Sequence, residues 1–380
     1  MAISGVAVVP TGLEEAAAAE LSALGCPTAS PLRRAVRFRT DQAGYYRLHL
    51  RARLPFRLLR ELVSFPCRSK HDLYAGVQRA ADWTQWLPPG ATFRVDASGS
   101  APGLNHSHYS ALQVKNALVD MQRQQWGKRS SVDLDNPDLS LHVHLGGGMA
   151  SLSLDGSGGS MHRRGYRPAM GLAPLKENLA AGLITLTSWD GSMPLADPFC
   201  GSGTLLIEAA RLALGRAPGL DRCFALERWP DFNPQLWQQE RDAAAALARN
   251  ALTSGAPLAP MVGLEHDPAV LEQARLNAEA AGVSDFLDLR LGDCRDFLPP
   301  PGPGILVANP PYGERLSGGE ALEPLYADLG RMVKERCRGW SLWLLSGNPE
   351  LTGALKLKAS RRIPISNGGI DCRWLHYEIR

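Results

Sequence analysis

Between residues 193 and 345 short apolar runs alternate with helical stretches, and few folds accommodate that pattern. Met193–Asp197, Met261–Glu265, Phe286–Leu291, Ile305–Ala308 and Trp340–Leu345 read as strands. Helices are expected after Gly203, from Pro268 and around Leu322–Cys337. Runs this short and apolar are strands covered on both faces, so the second half is expected to be α/β, a Rossmann-like, doubly wound and mostly parallel sheet. Ligands bind such sheets in the crevice beyond the carboxyl ends of the strands, which directs attention to the residue ending each run. Residues 216–256 interrupt the alternation as a partly helical insertion. Lys358–Ile365 and Asp371–Ile379, joined through SNGG, predict a closing hairpin.

The first half is α+β. Ile3–Val9, Arg33–Arg39 and Thr92–Ser98 are strand-like, and Thr11-x-x-Glu14 has the spacing of a capping box for a helix ending near Gly25. Ser107–Trp126 is helical in period, with Ser107 as its cap, Tyr109, Leu112 and Ala117 turned inward, and Lys115 and Arg123 two turns apart on a similar face. Leu139–Leu145 alternates cleanly and meets a hairpin partner, Met149–Asp155, across Gly146–Gly148. His142 and His144 share one face there. With no third ligand close in sequence they fit a solvent or RNA face better than a metal pair. Gly156–Gly159 then looks like a hinge.

A chain of 380 residues is too long for one compact core. Its net charge of +3 hides an asymmetry: residues 1–170 carry 20 basic against 13 acidic side chains, the remainder 21 against 25. A basic front joined to a near-neutral back suggests that the front meets phosphate. No apolar run approaches the ~20 residues of a membrane span, and no signal-peptide pattern opens the chain. Seven scattered cysteines fit free thiols, so a cytoplasmic protein is expected.

In LADPFCGSGTLLIEAA a strand ends at Asp197, and a glycine loop leads into an apolar helix. Gly201 and Gly203 let a ligand approach the backbone, and the helix start offers free N–H groups. No Lys-Ser/Thr follows as in a P-loop, and the third glycine of the dinucleotide fingerprint is missing; alone, the loop is equally a tight turn. Glu265 ends the second run, where its carboxylate can accept both hydroxyls of a ribose. Asp293 follows the third, placed for an adenine amine. Either acid alone reads first as a helix cap. In order, the three features point to an adenosyl ligand, and with nothing basic waiting for phosphates S-adenosylmethionine fits best. Ile305–Ala308 leads straight into Asn309-Pro310-Pro311-Tyr312. Asn309 and the Pro310 carbonyl can accept both N–H bonds of an exocyclic amine whose lone pair is otherwise delocalised into its ring. Tyr312 offers a face for the base to stack on, and the proline pair holds the acceptors still.

DPFCGSGT together with NPPYG resembles the class I methyltransferases that modify planar nitrogens. HRRGYR…APLKENLAAGL (162–183), FALERWPDF (224–232), NPPYGERL (309–316) and NGGIDCRW (367–374) resemble the THUMP-containing RNA guanine-N2 methyltransferases acting on large-subunit ribosomal RNA. In front, NHSHYSALQVKNALVD and LSLHVHLGGGMASLSLD resemble a THUMP RNA-binding domain, preceded by a ferredoxin-like lead-in. The resemblance implies a lead-in over 1–65, THUMP over 66–155 and a methyltransferase domain over 156–380, with a linker over about 156–172. It implies a donor site of Asp197, Pro198, Cys200, Gly201, Ser202, Gly203, Thr204, Glu265, His266, Asp293, Cys294 and Asn309, and no metal. Asn309, Pro310, Pro311 and Tyr312 would be the catalytic loop. Lys115, Arg123, Lys128, Arg129, Arg163, Arg164 and Arg167 would contact RNA. Glu265 stands where the family usually has aspartate; one methylene longer, it is expected to reach the ribose with a shifted rotamer.

The implied activity is transfer of a methyl group to N2 of a guanosine, in 23S ribosomal RNA or a large-subunit assembly intermediate. Transfer RNA guanine-N2, RNA adenine-N6 and protein glutamine are the rival substrates, and a THUMP domain argues against the last two. A non-catalytic RNA-binding assembly factor is the rival class, and the intact glycine and proline loops argue against it.

Overall fold

The computed structural model describes residues 2–167, 175–253, 258–312 and 322–380. The last part of the expected linker, 168–172, and residues 313–316 of NPPYGERL lie outside the described residues. The front half folds as β1 (Ile3–Val8), α1 (Glu14–Ala23), β2 (Ser30–Leu32), β3 (Ala35–Thr40), α2 (Gln42–Arg51), β4 (Arg57–Pro66), α3 (Lys70–Gln78), α4 (Trp83–Trp86), β5 (Thr92–Gly99), α5 (Ser107–Trp126), β6 (Ser131–Val132), β7 (Leu139–Gly146) and β8 (Met149–Asp155). Its strands make one sheet in the order β2-β3-β1-β4-β8-β7-β5-β6. β4 is long enough to serve both ends: Leu58 pairs with Ala7 of β1, while Phe65 pairs with Ala150 of β8. The lead-in and THUMP regions therefore share a sheet.

Two local expectations fail here for identifiable reasons. The Thr11–Glu14 capping box does not form, because the Glu14 carboxylate instead accepts from the Gly12 and Arg34 N–H groups at 2.7 and 3.0 Å. Ser107 opens α5 rather than capping it. The buried stripe of that helix runs through Ser110, Val114, Ala117, Leu118 and Met121, so Ala117 faces inward while Tyr109 and Leu112 are 39% and 38% exposed.

The second half folds as α6 (Glu177–Leu186), β9 (Leu195–Asp197), α7 (Thr204–Ala213), α8 (Pro234–Thr253), β10 (Met261–Glu265), α9 (Pro268–Ala280), β11 (Leu287–Leu291), β12 (Ile305–Ala308), α10 (Leu322–Arg336), β13 (Ser341–Ser346), α11 (Pro349–Ala354), β14 (Arg361–Asn367) and β15 (Ile370–Glu378). Strand order is β11-β10-β9-β12-β13-β15-β14, parallel except for the terminal hairpin. One apolar layer joins α6 and α7 to Leu195, Val307 and Leu345; the other joins α10 to Ala196, Leu306 and Leu344. Both faces are covered, which is why β9, β10 and β12 are wholly buried. The chain runs outward from β9 to β11, then returns to place β12 on the far side of β9. The switch point of the sheet thus lies between β9 and β12, at their carboxyl ends.

The halves are pinned to each other. α8, in the insertion, returns to α2 of the front half, where Glu240 pairs with Arg47 at 2.8 Å, and Trp229, just ahead of α8, stacks on Tyr45 with centroids 6.1 Å apart. Gly182 of α6 packs so close to Leu13 that a Cβ would lie 2.2 Å from its Cδ1. The stretch expected to be a hinge is held as well. A Cβ on Gly156 would meet the Tyr45 hydroxyl and His49 Nε2 at 2.6 and 2.7 Å, and Ser157 Oγ accepts from the Leu58 N–H at 2.8 Å. Arg164, expected to contact RNA, is 2% exposed. Its guanidinium donates to the Met161 carbonyl at 2.7 Å and to the Arg53 carbonyl, so it ties the halves together and cannot face a ligand.

Candidate active site

The glycine loop after β9 is shaped by backbone that only glycine adopts easily. Gly201 and Gly203 have φ of +53° and +81°. Nothing lies within 4 Å of where a Gly201 Cβ would stand, so the loop presents bare backbone to open space. Its other contacts are internal. The Cys200 N–H donates to the Leu264 carbonyl at 2.9 Å, and Asn277 Nδ2, from the buried face of α9, donates to the Ser202 carbonyl at 3.1 Å. Arg167 donates to Thr204 Oγ1 at 2.6 Å and to the Leu175 carbonyl at 2.7 Å, with Glu177 3.4 Å away. Arg167, another expected RNA contact, is thereby committed to the start of α7. Asn277 was not foreseen; a polar residue on the inward stripe of an amphipathic helix was the available signal.

Three acids lie at or just past the carboxyl ends of β9, β10 and β11. Asp197 is buried, and desolvation pushes its carboxyl up to about 8, although Oδ1 accepts from the Phe199 N–H at 3.0 Å. Glu265 ends β10 and turns back toward the loop, Oε2 accepting from the Gly201 N–H at 3.1 Å and Oε1 from the Asp267 N–H at 3.0 Å. A carboxylate has about four acceptor sites, so capacity for further donors is left. His266 is exposed, with Nδ1 2.9 Å from Glu265 Oε1. Asp293 lies just past β11 and is held by Arg295, whose Nε and Nη2 sit 2.8 and 2.7 Å from its two oxygens; these hydrogen bonds keep its carboxyl well below the usual range. Cys200 and Cys294 are buried thiols, both pushed up by desolvation, Cys294 to about 12; neither is poised as a nucleophile.

On the neighbouring strand, β12 delivers Asn309 to the same edge. Its Oδ1 is buried and has no hydrogen-bond partner. A buried acceptor left unpaired costs about 1–3 kcal/mol, and this one stands at the switch-point edge of the sheet, where a ligand's donor could reach it. Pro310 and Pro311 fix the backbone beyond it, and the Pro311 carbonyl accepts from the Tyr326 hydroxyl at 3.2 Å. The half-buried Tyr312 is tethered by its own hydroxyl, which accepts from Asn367 Nδ2 at 2.8 Å and from the Cys372 thiol at 3.6 Å. Asn367 belongs to the stretch NGGIDCRW, whose part in holding the ring is visible only once the hairpin is folded.

Of the remaining expected RNA contacts, Arg163, Arg123, Lys128 and Arg129 are exposed and Lys115 is half-buried. The four on the front half cluster along α5 and the turn after it, far in sequence from the loops.

A family model described as an RMKL-like methyltransferase domain matches residues 164–376, a THUMP domain model residues 67–155, and a model of the RlmL ferredoxin-like domain residues 5–59. A relative from Synechocystis, named provisionally an RNA methyltransferase, is 41% identical over 374 residues, 98% of this chain and 96% of its own. The chain belongs to the THUMP-bearing, RMKL-like methyltransferases. Members of that fold have been solved. One, named provisionally a methyltransferase and complexed with S-adenosylhomocysteine, superposes with a TM-score of 0.87 at 29% identity, over 100% of this chain and 98% of its own. A Listeria monocytogenes protein, named from prediction as an N6-adenine-specific DNA methylase, gives 0.87 at 30% identity over 100% and 97%. No helix among the described residues of this methyltransferase is long and apolar enough to cross a membrane.

Proposed function

We propose that this methyltransferase acts in the cytoplasm on RNA, adding a methyl group to the exocyclic N2 of a guanosine in 23S ribosomal RNA, with S-adenosylmethionine as donor. Residues 1–65 and 66–155 would hold the RNA, and residues 156–380 carry the reaction. The observation that carries the reading is the unpartnered, buried Oδ1 of Asn309 beside a rigid proline pair.

The residues present fit the donor. The open space over Gly201 admits a ligand against bare backbone, and Glu265 retains acceptor capacity for the ribose hydroxyls. Asp293, fixed by Arg295, would accept from the adenine amine. Bound S-adenosylmethionine supplies a methyl group made electrophilic by its sulfonium. The protein's task is to hold the nucleophile. Asn309 Oδ1 and the Pro310 carbonyl accept the two N–H bonds of the amine, which draws its lone pair out of the ring and aims it across the switch point. Tyr312, tethered by Asn367, supplies a face for a base taken out of its stack. The extra proton leaves the nitrogen after transfer, to solvent, so no strong base is required.

Two acceptors serve an adenine N6 amine as well as a guanine N2 amine, and the name of the Listeria relative favours the former as the second reading. One experiment separates them: transfer from labelled donor into total RNA of a strain lacking this gene, followed by size separation and nucleoside analysis. Label in 23S RNA as N2-methylguanosine is the expected result. N6-methyladenosine, or label in transfer RNA, would replace the target and keep the enzyme.

A further inference from the structure

On the flank of the catalytic sheet, next to Tyr312, lies a cavity of about 680 Å³ that the proposed reaction does not use. It opens beyond the carboxyl end of β13 and runs under the terminal hairpin, lined by Asn348, Arg362, Ser366, Asp371 and Arg373, with Thr11 of the front half at its border. Gly347 is the joint with the catalytic loop. It lines the cavity, and a Cβ there would stand 3.3 Å from the Tyr312 ring. The groove and the Tyr312 ring thus meet at Gly347.

Two arginines without partners line the same groove. Arg290, Arg295 and Arg331 are each paired with an aspartate, whereas neither Arg362 nor Arg373 has a hydrogen-bond or ion-pair partner among the described residues. Arg362 sits opposite Leu375 and Arg373 opposite Pro364, so the two are diagonal neighbours on one face, ~7 Å apart. Asp371 lies toward the turn, opposite Ser366, and leaves the other end of the groove positive. Edge strands are often blunted by charge and proline. Pro364 already does that on β14, and the arginines line the cavity instead. A volume in the ~300–1,000 Å³ range of small-ligand sites suits one or two nucleotides and excludes a duplex.

We propose that this groove is a subsite for the single strand flanking the target nucleotide, with Arg362 and Arg373 on its phosphodiester groups. The proposal rests on the RNA reading above and adds where the strand goes once the base has left it. Phosphate contacts of this kind fix the register of the strand, which decides which base reaches Asn309.

The test uses the full chain and a short, labelled, mixed-sequence single-stranded oligoribonucleotide, with binding followed by anisotropy across a salt series. In the double variant Arg362→Gln/Arg373→Gln the slope of log affinity against log salt should fall by about 1.4, for two phosphates at ~0.7 each. The Lys/Lys double variant should restore it, and S-adenosylhomocysteine affinity by calorimetry should be unchanged in both. An unchanged slope overturns the subsite, as does weaker RNA binding that lysine does not rescue. If the unaltered protein binds S-adenosylhomocysteine but not the oligonucleotide at any salt, the RNA reading itself has failed, and the subsite falls with it. Preferential binding of an acidic peptide in the same groove would reassign it to a protein partner.

Discussion

The glycine loop and the proline loop leave adjacent strands at the same edge of one sheet and solve opposite problems. The glycine loop is soft in sequence and is made stiff by partners: Glu265 at Gly201, Asn277 at Ser202, Arg167 at Thr204. The proline loop is stiff by covalent structure and leaves Asn309 Oδ1 without a partner. A site for a ligand of constant shape can be completed in advance. A site that must alter the electronic state of its ligand keeps an acceptor unsatisfied until that ligand arrives. In the proposed arrangement, the glycine loop is prebuilt for binding and the proline loop holds its reactivity in reserve.

Asn309→Ala should break the contrast most severely. We expect the single-turnover rate to fall by about 10²–10³-fold, the loss typical of one preorganised hydrogen-bonding group. S-adenosylhomocysteine affinity should stay within error, measured by calorimetry. Equal loss of both would place Asn309 in the donor site alone. On the other loop, Gly203→Ala should act in the opposite sense. Its φ of +81°, with Ile207 Cδ1 3.2 Å from the new Cβ, would strain the native loop by about 1–2 kcal/mol; the loop should shift to relieve it, with donor affinity falling by up to roughly tenfold and the rate at saturating donor retained.

Asp197 sharpens the comparison through pH. Burial raises its carboxyl from 3.8 to about 8. Between those values the folded chain keeps a proton that the unfolded chain releases, so stability contributed by the protonated form is complete below about pH 4 and declines as pH rises to 8. Asp197→Asn keeps an acceptor for the Phe199 N–H and cannot ionise. Its melting temperature should therefore lose that part of the decline, so that the variant gains on the parent toward pH 8. Parallel melting curves from pH 4 to 9 would show that the carboxyl is ionised in the folded state after all.

How much of this could be seen in the sequence depended on range. The strand ends at Glu265 and Ala308 follow from local apolar runs and breakers and fall where the runs stop; the terminal hairpin also forms, with β14 running two residues past Ile365 to Asn367. The family resemblance added the THUMP region, which the comparisons bear out. What local pattern could not carry was the destination of charges. Arg163, Arg164 and Arg167 look alike on paper, yet one is exposed, one is locked to a carbonyl 111 residues away and one donates to the Thr204 hydroxyl at the start of α7. Gly156–Gly159 has the composition of a hinge, but His49 and Tyr45, far back in the chain, press against it. Helical phase misled at Tyr109 and Leu112, because an apolar residue beside the buried stripe has the same spacing as one within it.

The smallest effect should come from Asn367→Ala, and it tests whether the terminal hairpin serves the proline loop at all. Asn367 touches neither donor nor base in the proposed arrangement; it acts through one hydrogen bond of 2.8 Å to the Tyr312 hydroxyl. Such a bond contributes about 1 kcal/mol, so kcat/KM for RNA should drop roughly fivefold, mainly through KM, since a looser ring weakens stacking rather than the methyl step. Tyr312→Phe removes the same bond from its other end. If positioning is the whole effect, Asn367→Ala made in the Tyr312→Phe background should cost almost nothing further, giving a coupling energy of about 1 kcal/mol. An undiminished loss in that background would mean that Asn367 meets the RNA directly, and the tether to Tyr312 would then be incidental to catalysis.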